Sequence, residues 1–225
     1  MATTRRPNAA ALTQWITRLT VALVESGLVD AQNFPVAIAE NGKELVSFPN
    51  SPGAVALSLS TYRDLYEVQF TRDSYNFLML DGALVQMHYE FEHGALTSHR
   101  LAFLPSPDLV DFQLDPELYL AETPYLDIVG SQATTTPIRF DYDARDGAPR
   151  ELVHPASHLT IGQYQHCRIP VSGPVSPGHF VDFVIRHFYT GMELPAVECS
   201  LTFAQAFARS ITAAEERVLH LNLVQ

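Results

Sequence analysis

Residues 75–104 decide the fold, and they read YNFLMLDGALVQMHYEFEHGALTSHRLAFL. Three apolar-rich runs are separated by Asp81-Gly82 and His93-Gly94, two dipeptides that suit tight turns because glycine tolerates positive φ. The three runs are residues 75–80, 83–92 and 95–104. The segment therefore predicts a three-stranded antiparallel meander.

The turn between the second and third strands also predicts their register. A two-residue loop there would pair Glu92 with Ala95. Counting outward from that pair puts His88 opposite His99 and Arg100 opposite Met87. Arg100 of the third strand would then share a face of the sheet with the more apolar side of the second strand. Under this register neither face of the meander is purely apolar, so some polar groups would be buried and would need partners.

The rest of the chain predicts helices and strands around the meander. The predicted helices are 9–26, 62–70 with Ser60 as its cap, 177–189, and a short final helix after the capping box at 212–215. The other predicted strands are 36–39, 45–48, 54–59, 137–142, 157–161, 167–171 and 197–207, with short helical turns at 108–120. We therefore expect one α+β domain over residues 1–225, mainly an antiparallel sheet with an N-terminal helix and C-terminal helices.

Composition narrows the class of protein. The 225 residues include 47% hydrophobic residues, enough for a sizeable core, so a disordered chain is excluded. The net charge of −11 argues against a protein that grips nucleic acid by bulk charge alone. Two cysteines do not make a disulfide framework, and no apolar run is long enough to span a membrane. We expect a cytoplasmic protein that does not contact a membrane.

The distribution of histidine and arginine carries the site hypothesis. Eight of the nine histidines lie between positions 88 and 187, and six arginines share that window. An imidazole near its pKa is the usual general acid or base, and a guanidinium group can hold a phosphate. This combination is typical of phosphodiester cleavage without a metal ion.

The densest part of this cluster lies between positions 154 and 168, and Arg139 and Asp141 lie just upstream on one face of a predicted strand. The candidate catalytic residues are His154 and His158, as base and acid, and Asp141, which would orient a histidine. The candidate substrate-binding residues are Arg168, Arg139, His99 and Arg100. We expect no metal and no cofactor, and we expect RNA or another phosphate-containing ligand as the binding partner.

Other interpretations of the same residues remain open. The spacing of His154 and His158 would suit zinc on a helix, but Pro155 follows His154 and the segment predicts a turn and a strand. His154 could instead mark only a chain bend, and Arg168 could be a core arginine paired with an acid. His88 and His99 could be no more than a cross-strand pair.

Several longer motifs resemble a bacterial family known only as a domain of unknown function. The motifs are residues 75–87, 98–107 (SHRLAFLPSP), 139–143 (RFDYD), 154–159 (HPASHL) and 163–170 (QYQHCRIP). The resemblance covers most of residues 60–222 and implies a standalone prokaryotic protein, in some cases encoded near mobile or defence loci. It implies no activity of its own. A looser similarity to small toxin proteins, in which an Arg-Tyr/Phe-Asp pattern precedes a histidine cluster, motivates the RNase hypothesis.

Two functions from different classes follow. The first is a metal-independent RNase or related phosphodiesterase of a toxin or defence module. The alternative is a noncatalytic subunit of a prokaryotic complex that presents a sheet edge or the 177–189 helix to a protein partner. Convergence of the histidines and arginines in one concave pocket would favour the enzyme, whereas an exposed apolar patch with scattered histidines would favour the subunit. A third possibility is that the motifs serve packing alone.

Overall fold

The computed structural model describes residues 7–49, 51, 61–108, 136–164, 166–189 and 207–223. Its helices are α1 (Ala9–Glu25), α2 (Tyr62–Thr71) and α3 (Pro177–Phe188), with a short 3-10 turn at Glu215–Arg217. Its strands are β1 (Val29–Gln32), β2 (Val36–Glu40), β3 (Lys43–Ser47), β4 (Phe77–Met79), β5 (Leu84–Glu92), β6 (Ala95–Leu104), β7 (Ile138–Asp143), β8 (Ser157–Ile161) and β9 (Ile169–Pro170). The predicted α+β class with a mainly antiparallel sheet is confirmed.

All nine strands belong to one antiparallel sheet. The order is β1-β4-β5-β6-β7-β8-β9, and the hairpin of β2 and β3 joins through β3 to the C-terminal half of β5. The meander of β4, β5 and β6 lies at its centre, as the sequence predicts. Its turn at His93 and Gly94 is the expected two-residue loop, with positive φ of 50° and 78° at the two residues.

The predicted register of β5 and β6 is wrong by one residue because of a β-bulge. Glu92 pairs with Ala95 and Phe91 with Leu96, but Glu90 pairs with Ser98, so that Thr97 is an extra residue on β6. A one-residue insertion moves every later side chain to the other face of the sheet. His88 therefore lies opposite Arg100 and His99 opposite Tyr89, so the expected cross-strand pair of histidines does not form.

After this shift, one face of the sheet is apolar and packs against α1 and α3. The shared core contains Leu12, Trp15, Ile16 and Leu19 of α1, Met87, Tyr89 and Phe91 of β5, Leu101 and Phe103 of β6, Phe140 of β7, and Phe180, Val181 and Val184 of α3. The bulge places Leu101 and Phe103 with these residues and sends Arg100 to the opposite face. Burial of such side chains, each contributing about 1.5–3 kcal/mol, makes this face the main source of stability.

The opposite face is covered at one end by α2. Leu65 and Tyr66 of the helix pack with Leu84, Ala102 and Leu104 in a second, smaller core. The helix begins at a capping box formed by Thr61 and Asp64, one residue beyond the predicted cap at Ser60. The remainder of this face carries the polar residues of the central strands.

The helix ends follow ordinary capping chemistry. The side chain of Asn8 caps α1 by accepting the backbone N–H of Ala11 at 2.9 Å, and Ser176 caps α3 in front of a proline. Thr212 and Glu215 exchange both capping-box hydrogen bonds, although the predicted final helix is only the 3-10 turn. Within the described residues, no helix combines the length and hydropathy needed to cross a membrane.

Some predicted elements fall wholly or largely outside the described residues. They are the strand at 54–59, the helical turns at 108–120 and the late strand at 197–207.

His99 is buried in the main core. Its ring lies between Tyr89 and Tyr142, with centroids 5.5 and 5.7 Å away, and its Nε2 accepts the backbone N–H of Val175 at 2.9 Å. Burial lowers the pKa of His99 to about 3, so the ring is neutral at physiological pH. The proton of the neutral ring must then lie on Nδ1.

A neutral buried histidine predicts a loss of stability in acid. Between pH 6.5 and 3 the unfolded chain binds a proton that native His99 does not, so the free energy of unfolding falls as the pH falls. From pH 7.5 to pH 5 this residue should cost about 2 kcal/mol. The variant His99→Gln keeps an acceptor for Val175 and does not titrate, so its loss should be smaller in urea unfolding at the two pH values. Equal losses in the two proteins would contradict this account.

Candidate functional site

A row of polar residues crosses the four central strands on the face opposite the main core. His88 of β5 pairs with Arg100 of β6, Arg100 with Asp141 of β7, and Asp141 with His158 of β8. Neighbouring strands lie about 4.8 Å apart, so the row spans about 14 Å. The register thus gathers residues that are up to 70 positions apart in the sequence.

This row forms the floor of a cavity of about 360 Å³. Its described lining includes all seven predicted site residues, namely His154, His158, Asp141, Arg168, Arg139, Arg100 and His99. His99 differs from the other six because its ring is buried against aromatic side chains and its Nε2 accepts the backbone N–H of Val175. The predicted convergence of histidines and arginines in one cavity therefore occurs, and His99 is the one of them that lies buried in the main core.

Asp141 is the centre of the charge network. Its Oδ2 accepts a hydrogen bond from Arg139 Nε at 2.6 Å, and its Oδ1 accepts one from Arg100 Nε at 3.3 Å. His158 Nε2 lies 3.7 Å from Oδ2. Within the described residues, the Nη groups of Arg100 and Arg139 donate to no other side chain. One carboxylate thus holds two guanidinium groups in place by their Nε atoms.

The charge state of Asp141 follows from these neighbours. Burial alone raises the pKa of a carboxyl group, but the positive charges of Arg139 and Arg100 outweigh it and hold the pKa of Asp141 below its usual value. The carboxylate is therefore ionised at neutral pH, as an orienting group must be. It neutralises only part of the charge of the two arginines.

His154 and His158 are neighbours, with ring centroids 4.9 Å apart. His154 lies in the turn before β8, where its Nδ1 donates to the carbonyl of Ala148 at 3.0 Å. A neutral ring with its proton on Nδ1 leaves the lone pair of Nε2 to accept another proton. His154 is half-buried and borders the cavity, so this Nε2 is the candidate base.

His158 is more deeply buried than His154. Its Nδ1 donates to the carbonyl of Pro155 at 2.9 Å, and its side chain is only 4% exposed. Burial lowers the pKa of His158, while the charge of Asp141 opposes that shift. With one nitrogen bonded to backbone and the other facing Asp141, His158 is placed to support His154 and Asp141 rather than to touch a ligand.

The cavity also contains a polar group that the sequence analysis did not select. Glu90 accepts from Ser98 Oγ at 2.9 Å and lies 3.2 Å from His88 Nε2, and Arg145 approaches it at 3.7 Å. The hydrogen bond from His88 is the largest of the effects that lower the pKa of Glu90 to about 2. The bulge at Thr97 brings Ser98 beside Glu90, and this pairing could be found from the sequence only by anticipating the bulge.

The cavity is cationic in an acidic protein. Among the described lining residues, four arginines stand against three carboxylates, whereas the whole chain carries a net charge of −11. The arginines are Arg100, Arg139, Arg145 and Arg168. Within the described residues, no three His, Cys, Asp or Glu side chains are arranged to hold a metal ion. The arrangement suits an anion that is bound by guanidinium groups.

The network predicts that Asp141 stabilises the fold. Asp141→Asn removes the counter-charge of Arg100 and Arg139, so we expect the free energy of unfolding at pH 7 to fall by about 3 kcal/mol. The matched control is Asp182→Asn, which breaks an exposed pair with Arg186 on α3 and should cost less than about 1 kcal/mol. Because the pKa of Asp141 is lowered, its contribution is present above pH 3.8 and is lost below it. Similar losses for both variants in urea unfolding would contradict the network.

Comparison with known proteins places the chain in a family. Comparison with curated proteins and with solved structures yields no significant match. The profile of one family, described as "Uncharacterized conserved protein (DUF2290)", matches residues 28–223. The match begins at the entry to β1, covers the whole sheet, the cavity and α3, and agrees with the resemblance seen in the motifs. The chain belongs to the DUF2290 family.

Proposed function

We propose that this protein is a metal-independent phosphodiesterase whose active site is the cavity around Asp141. The observation that carries the proposal is the convergence of His154, Arg139, Arg100 and Arg168 in that cavity. General acid–base catalysis needs a base with a free lone pair and cations where negative charge develops. These four residues provide both.

The proposed roles differ from one residue to the next. His154 Nε2 takes the proton of the attacking hydroxyl or water as its oxygen bonds to phosphorus; the P–O bond to the leaving oxygen breaks, and that oxygen takes a proton from solvent. Arg139 and Arg100, fixed through Nε by Asp141, direct positive charge at the phosphate, and Arg168 adds to it from beside β9. His158 and Asp141 are positioning residues that hold the ring of His154 and the two guanidinium groups.

The size of the cavity limits the substrate. A volume of about 360 Å³ lies at the lower end of the range of small-molecule sites. The substrate is therefore a small phosphodiester or one nucleotide unit of an RNA chain. The acidic remainder of the protein favours a local phosphate contact over broad adhesion to nucleic acid.

The setting we propose is the prokaryotic cytoplasm, in a toxin or defence module.

The alternative role as a protein-binding subunit has less support. The exposed residues of α3 are His179, Arg186 and His187, so that face is polar and offers no apolar docking patch. The histidines of the cavity converge rather than scatter. Both observations favour the enzyme over docking through this helix.

Cleavage assays test the proposal directly. The purified protein is incubated in EDTA with total RNA and, separately, with a nucleoside 2′,3′-cyclic phosphate. We expect cleavage of at least one substrate, a loss of about 10²–10⁴-fold in His154→Ala, and a loss of about 10²–10³-fold in Arg139→Ala. His187→Ala, an exposed histidine on α3, is the matched control and should retain full activity. Cleavage no faster than buffer, or equal rates for wild type and His154→Ala, would overturn the proposal.

A further inference from the structure

The proposed chemistry uses only part of the cavity. The register shows how the rest is built, because every second residue of a strand points to the same face. Along β6 from the bulge, the residues on the cavity face are Ser98, Arg100, Ala102 and Leu104, and along β5 they are Glu90, His88, Gln86 and Leu84. The floor therefore changes from charged to amide and then to apolar along the strands.

The uncharged end of the cavity is a buried, preformed surface. Leu65 of α2 and Leu104 of β6 border it and are 5% and 6% exposed, and Phe48, which follows β3, is 5% exposed. These side chains form an apolar wall in the same cavity as the guanidinium groups. A phosphate gains nothing from such a wall, whereas a flat ring system does.

Two glutamines lie between the apolar wall and the charged floor. Gln86 Nε2 donates to Gln69 Oε1 at 3.0 Å and also to the carbonyl of Ser74, so both of its amide protons are used. Within the described residues, Gln69 Nε2 and Gln86 Oε1 take part in no hydrogen bond. Both residues border the cavity. The linked amides thus leave one donor group and one acceptor without a partner among the described residues, on two side chains that border the cavity.

We propose that this end of the cavity binds the base of a nucleotide, so that the ligand of the site is a nucleoside monophosphate or its diester. A nucleobase has apolar faces for the wall and an edge with adjacent donor and acceptor atoms for Gln69 and Gln86. The inference rests on the proposed function in one respect, since the phosphate is assigned to Arg139 and Arg100.

The spacing of the two ends agrees with this ligand. Gln86, Ala102 and Arg139 form one row across three neighbouring strands, so the amide and the guanidinium group stand on strands about 10 Å apart. Ala102, which lies between them and packs in the second core, also borders the cavity. That span suits a base, a sugar and one phosphate, and it exceeds what inorganic phosphate alone would occupy.

Calorimetric titration of the full chain tests the inference with defined probes. Wild type is titrated with the four nucleoside 5′-monophosphates and with ribose 5-phosphate, which has the phosphate and sugar but no base. We expect at least one nucleotide to bind 10-fold or more tightly than ribose 5-phosphate. Gln69→Met keeps side-chain length but removes both the amide donor and the acceptor of Gln86 Nε2. It should reduce that preference about 10-fold, while ribose 5-phosphate, which has no base, should bind as it does to wild type. Arg139→Ala should weaken all ligands together.

The outcomes separate this inference from the proposed function. Equal, Arg139-dependent binding of ribose 5-phosphate and every nucleotide would overturn base recognition and leave the phosphate site intact. Binding of a nucleotide that Arg139→Ala does not weaken would overturn the assignment of the phosphate. No binding of any probe would overturn both. The comparison of ligands on wild type needs no variant, so a Gln69→Met protein that fails to fold does not block the test.

Discussion

A carboxylate held between two guanidinium groups is the constraint on which the polar face of this protein depends. Asp141 is 13% exposed, and transfer of its charge out of water would be costly without Arg139 and Arg100 at 2.6 and 3.3 Å. The same contacts fix both arginines through Nε and leave their Nη groups without a side-chain acceptor among the described residues. A single ion-pair network therefore joins the strands and forms the site at which we propose that phosphate binds.

The bulge at Thr97 explains how one sheet has an apolar core on one face and the ion-pair network of Asp141 on the other. Without the extra residue, Arg100 would share a face with Met87 and would lie in the main core. With it, Leu101 and Phe103 join the core, while Arg100 comes to lie between His88 and Asp141. β-Bulges are common beside functional sites because they redirect side chains, and here the redirected side chain is an arginine that lines the cavity.

The fold and the site differ in how far the sequence predicts them. The turn dipeptides at 81–82 and 93–94 and the apolar runs that they separate locate the meander, since these signals are local. The convergence of His154, His158 and Arg168 with Asp141 is predicted from their density along the chain. The position of His99 and the partnership of Glu90 with Ser98 are not, because one inserted residue decides them and nothing local marks it. The apolar and amide end of the cavity depends on how α2 packs across the sheet, which is a tertiary contact with no sequence signature.

The central claim is that an anion binds at His154 and the Asp141 network while His99 stays in the core. Long-range proton–nitrogen NMR of the imidazole rings tests it most directly, during titration of the ¹⁵N-labelled protein with a nucleoside monophosphate. We expect His154 to carry a proton on Nδ1 and its Nε2 signal to shift in a saturable way, while the His99 and His187 signals stay fixed. A fixed His154 signal, or a shift at His99 in its place, would contradict the account.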